Sequence, residues 1–67
     1  MTLHVGDLLY GFCEGYFGRD SYGDKRVEGV GADWVVAREV ESEQAVYASV
    51  NPPYLEKFKN REFEENP

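Results

Sequence analysis

Sixty-seven residues with a formal net charge of −6 describe one small acidic domain, in which 42% of residues are apolar and one Trp, five Tyr and four Phe supply the large rings. The single cysteine excludes an intramolecular disulfide, and Cys13 with His4 offers too few ligands for a multi-cysteine zinc site. The acidic balance argues against direct binding to a nucleic-acid backbone, which needs clustered Lys and Arg, and suits a partner with a basic surface. Small secreted domains usually rely on disulfides, so their absence favours a cytoplasmic setting. MTLHVGDLLYGF has no basic n-region and no long apolar run, so neither a signal peptide nor a membrane span is expected.

Along the chain, Val5-Gly6-Asp7 reads as a turn. LLYGFC (8–13) then reads as a strand, with Leu8, Tyr10 and Phe12 on one face and Leu9, Gly11 and Cys13 on the other. Gly11 within it marks a bulge or bend. Residues 14–24 hold Gly15, Gly18, Gly23, Asp20, Ser21 and Asp24, a loop by composition. Lys25 to Val30 forms a short strand, and Gly31-Ala32-Asp33 a tight connection. Trp34 to Val40 is rich in β-branched and aromatic residues, with Trp34 expected in the core. The polar stretch 41–44 turns the chain, and Ala45 to Val50 returns to complete a hairpin with 34–40.

Asn51-Pro52-Pro53 ends the sheet, with Asn51 suited to an N-cap and Pro52 to the first helical position. Beyond it, Tyr54, Leu55 and Phe58 share one α-helical face, which Phe63 fits poorly. Residues 51–67 thus read as a short C-terminal helix or a frayed tail. Together these elements predict a mainly β fold, a small SH3-like open β-barrel of about four or five strands over residues 1–50.

No catalytic constellation is recognisable. His4 is the one histidine, and Cys13 reads as a small half-buried strand residue rather than a nucleophile. Asp20 with Asp24 and Glu41 with Glu43 lack calcium-loop spacing. Gly11, Gly15 and Gly18 do not match the dinucleotide fingerprint, and no Lys-Ser or Lys-Thr pair follows them. Catalytic, cofactor and metal residues are therefore all expected to be absent.

The aromatic group remains. Tyr10, Phe12, Tyr16, Phe17 and Tyr22 cannot all be core if 14–24 is a loop. Loops carry binding residues, and Tyr and Arg are favoured interface anchors. Arg19, Lys25 and Arg26 place cations beside the rings. The rings either roof the barrel or meet a partner, and the candidate contact set is Tyr10, Phe12, Tyr16, Phe17, Arg19, Asp20, Tyr22 and Arg26.

GDLLYGF, GRDSY and the strand with Gly31, Asp33, Trp34, Val35, Val36 and Arg38 resemble a group of short uncharacterised proteins of actinobacteria and their phages. The resemblance spans about residues 5–50. It transfers no activity and implies an intracellular, phage- or prophage-linked setting. The expected function is a non-enzymatic protein-interaction module of the phage accessory kind, binding a host or phage protein. A nucleic-acid-linked regulator with rings stacked on bases, or a barrel binding a nucleotide-like ligand, are the other classes.

Overall fold

The computed structural model describes residues 3–59. Its four strands are β1 (Leu8–Leu9), β2 (Lys25–Val30), β3 (Val35–Glu39) and β4 (Ala45–Ala48), antiparallel neighbours in one sheet of order β1-β2-β3-β4. The fold is mainly β and fits a small open barrel of the SH3-like kind. β2 matches the stretch expected from Lys25 to Val30, and the β3–β4 hairpin forms with Val36 opposite Tyr47 and Ala37 opposite Val46.

Both hairpins close as their turn chemistry dictates. The Gly31 N–H donates to the Trp34 carbonyl at 2.9 Å, ending the β2–β3 ladder. At the β3–β4 end, the Glu39 N–H reaches the Gln44 carbonyl at 2.9 Å while the Glu43 N–H reaches the Glu39 carbonyl at 2.8 Å. Glu43 has φ +63, so two residues face one in a G1-type bulge, with Glu where glycine is usual. A second irregularity shifts the β2–β3 register between Val27 and Gly29.

Three sequence expectations are corrected. The first strand ends at Leu9 rather than Cys13. Gly11 turns with φ +78, and Cys13, Glu14 and Gly15 all take left-handed angles. The Tyr10 N–H is drawn off to the Phe58 carbonyl at 2.8 Å, which takes the backbone out of the ladder. Cys13 is buried in this turn, its thiol donating to the Gly11 carbonyl at 3.5 Å.

Trp34 is not core. It is 37% exposed, because Val35 and Ala37 are the β3 residues that face inward. Its indole lies outside, across Gly31 and beside Gly29. A Cβ on Gly31 would overlap the ring, and one on Gly29 would stand 3.3 Å from it. Backbone without side chains therefore provides the indole's bed.

The C-terminal segment Pro52–Lys59 is a 3-10 helix. Three residues per turn bring Pro52, Leu55 and Phe58 into line, so Leu55 and Phe58 are buried while Tyr54 points out. An α-helical period would have placed Tyr54 with them. The helix is held to the body by the Tyr10–Phe58 backbone bond and by ion pairs from Lys57 to Glu14 (2.9 Å) and from Lys59 to Asp7 (3.1 Å). Residues from Asn60 onward, including Phe63, lie outside the described residues. The core gathers Leu9, Val27, Val35, Ala37, Ala48, Leu55 and Phe58, with Leu3, Cys13 and Phe17. Among described aromatics only Phe17 and Phe58 are buried.

Candidate functional site: the 11–24 loop

Glycine-rich loops leave many carbonyls without ladder partners, and a buried carbonyl must find a donor. In this chain the donor is Lys25. It is the first residue of β2, on the same inward side as Val27, and its side chain is completely buried. Its Nζ donates to the carbonyls of Gly11 (2.6 Å), Ser21 (2.9 Å) and Gly23 (2.6 Å). Three N–H donors meeting three carbonyls is the full donor complement of an ammonium. The same nitrogen stands 5.6 Å from the centre of the Phe17 ring.

Asp24 secures the loop from the other side. Its carboxylate accepts the Gly11 N–H at 3.0 Å, and its carbonyl accepts the Val40 N–H at 2.9 Å. Across the loop, Phe12 and Tyr22 stack with centroids 4.6 Å apart and planes 16° from parallel, a geometry that favours ring pairs. The edge of Phe12 also covers Gly15, where a Cβ would approach to 3.3 Å.

Glu39 joins the loop to the β3–β4 turn. Ser21 Oγ donates to one carboxylate oxygen at 2.5 Å, and Ser42 Oγ to the other at 2.6 Å. The Ser21 bond first, then Ser42 and the charge of Lys25, hold the Glu39 carboxyl below its usual range. Asp7 is likewise lowered, first by the His4 backbone N–H at 2.7 Å and then by Lys59. For both groups the folded pKa lies below the unfolded one. Their stabilisation is therefore complete above the unfolded value of about 4 and disappears as pH falls through the folded value. Urea midpoints should hold steady from neutral pH to about 5 and drop in more acidic buffer. Glu39→Gln should start lower and show a shallower acid drop, and equal acid slopes in the two proteins would remove Glu39 from this account.

The expected contact residues separate by direction. Tyr16, Arg19, Asp20 and Tyr22 face solvent, Tyr22 being 67% exposed. Phe17 turns inward at 6% exposure and roofs the core beside Lys25. Tyr10 and Phe12 are half-buried. Arg26 lies on the outer face of β2, opposite Arg38, with a guanidinium bond to the Gly6 carbonyl at 3.3 Å. The loop is thus a lid on its inner side and a display of rings and charges on its outer side. Lys25, read from the sequence as a cation beside the rings, does stand over the Phe17 ring and is in addition the loop's internal anchor. Ser21, Glu39 and Ser42 were not singled out by sequence reasoning. No local pattern marks them, since each gains its role from a partner on another segment.

A cleft of about 230 Å³ opens between the loop and the β3–β4 hairpin, lined by Phe17, Arg19, Asp20, Ser21, Glu39 and Val46 among others. Small-molecule pockets usually measure about 300–1,000 Å³, so this cleft falls below that range. Among the described residues no helix is long and apolar enough to cross a membrane, and no group of three potential metal ligands gathers. No protein family, curated protein or solved structure matches this chain.

Proposed function

We propose that this chain is a small non-enzymatic protein-interaction module whose contact surface is the outer side of the 11–24 loop. The supporting observation is the loop's internal anchoring by the buried Lys25 ammonium on three of its carbonyls. A loop held from inside presents its side chains without a large ordering cost on binding. Tyr16 and Tyr22 offer broad amphipathic faces, and Arg19 and Asp20 offer one charge of each sign beside them. The net charge of −6 steers the module toward a basic partner surface. The resemblance to actinobacterial and phage proteins supports reading the interaction as cytoplasmic, with a host or phage protein as partner.

Affinity capture with the wild-type chain and with a Tyr16→Ala, Arg19→Ala, Tyr22→Ala variant tests this reading. Anchor residues of these types each contribute about 2 kcal/mol at hot spots, so the triple variant should lose affinity by a factor of about 100 or more. All three side chains are exposed, but Tyr22 gives up its stack on Phe12, so Tm should fall by about 2–12 °C, and circular dichroism at the capture temperature checks that the variant is folded. Equal recovery of the same partner by both proteins would remove the loop as its contact surface.

A further inference from the structure

The two edges of the sheet are treated differently. β1 is only two residues long, and the 3-10 helix covers its end through the Tyr10–Phe58 backbone bond. Among the described residues β4 pairs with β3 alone. The Glu39–Gln44 bond sets the alternation of the β3–β4 ladder, so Val46 and Ala48 direct their backbone groups toward β3. Ala45 and Tyr47 then direct theirs away from the sheet, and the same alternation carried one residue past the end of β4 gives Ser49 that direction too. All three residues are exposed, and none forms a backbone bond to another segment among the described residues.

Such an edge is normally blunted by a charge, a proline or a bulge. Here Gln44 to Val50, QAVYASV, contains no charged residue, no glycine and no proline, in a chain that is 30% charged. Tyr47, 56% exposed, stands on the outer face beside its register partner Val36, and Trp34 lies on the same face across Gly29. The edge thus combines backbone donors and acceptors that have no partner among the described residues with an apolar strip.

We infer that the β4 edge is a self-association surface on which a second copy of this chain docks, β4 antiparallel to β4, with Tyr47 opposite Tyr47. The segment is self-complementary about that residue. Placing Tyr47 on the two-fold axis puts Ala45 opposite Ser49 in both directions, and the outward groups form about six hydrogen bonds. No like charges oppose, because the strand has none. The outer strip of Trp34, Val36 and Tyr47 becomes continuous across the axis, and the two sheets join into one. The acidic net charge of each copy opposes the approach, and salt screens that repulsion. The surface is separate from the loop, so the loop triple variant retains the dimer.

Sedimentation equilibrium of the full chain from about 10 μM to about 1 mM, at low and high salt, tests this together with amide exchange. Mass should rise toward twice the monomer with concentration, and more readily at high salt. The amides of Ala45, Tyr47 and Ser49 should exchange freely in dilute samples and become protected as the dimer forms. Tyr47→Lys should weaken association at least about tenfold, by placing two charges face to face, while Tyr47→Phe and the remote exposed substitution Val5→Lys leave it intact. A monomeric mass throughout would overturn the inference. So would a dimer whose three amides stay unprotected, or protection of those amides in the dilute monomer, which would assign the edge to another segment of the same chain.

Discussion

Replacing Lys25 by methionine is expected to lower Tm by roughly 15–30 °C. Methionine keeps the apolar stem and removes the three donors. The carbonyls of Gly11, Ser21 and Gly23 then lose their partner. An unsatisfied buried acceptor costs about 1–3 kcal/mol, and partial opening of the loop to water limits the sum to about 4 kcal/mol. Small domains hold only about 5–15 kcal/mol in total, and in this size range each kcal/mol moves Tm by about 4–8 °C. Thermal and urea denaturation followed by circular dichroism read the loss directly. Lys25→Arg should also destabilise, because a planar guanidinium cannot aim its donors at three carbonyls converging on one point. Lys57→Arg, at an exposed ion pair, should be close to neutral. A Lys25→Met protein within about 1 kcal/mol of wild type would show that other contacts hold the loop.

Phe58→Ala should cost about 3–5 kcal/mol, the usual range for emptying a fully buried phenylalanine site. The residue fills the core beneath β1, and its carbonyl is the acceptor for Tyr10. Loss of the ring therefore loosens both the 3-10 helix and the turn into the loop. Tyr54→Ala, four residues earlier and largely exposed, should lie within about 0.5 kcal/mol of wild type. The pair discriminates between helical periods. A three-residue repeat buries Leu55 and Phe58 and leaves Tyr54 outside, whereas an α-helical repeat would bury Tyr54 too. Comparable urea midpoints for the two variants would mean that the segment does not dock as described.

These outcomes bear on how the candidate site was legible. Residues 14–24 were identifiable as a loop from Gly15, Gly18, Gly23 and their polar neighbours, and the number of rings exceeded what a loop can bury. Which ring turns inward was not legible. Tyr16 and Phe17 are adjacent, and only the position of Lys25 beneath the loop and of the core beyond it selects Phe17 for the interior. The anchoring role of Lys25 was equally hidden. A lysine normally stays at the surface, and its burial here answers a demand created by carbonyls up to fourteen residues away.

The sequence by itself determined the β2 strand, the β3–β4 hairpin, the glycine-shaped loop and the stop at Asn51-Pro52. Each of these depends on local chemistry: alternation, turn residues, backbone freedom at glycine and the restricted φ of proline. Tertiary structure alone decided which side of β3 faces the core, where Trp34 lies, how Lys25 is used and which sheet edge has no partner among the described residues. An alternating strand has two faces of equal standing until something packs against one of them. In this chain Leu9, Val27, Leu55 and Phe58 fill the interior, so Val35 and Ala37 suffice on the inner side of β3 and the indole is left on the outside, over two glycines.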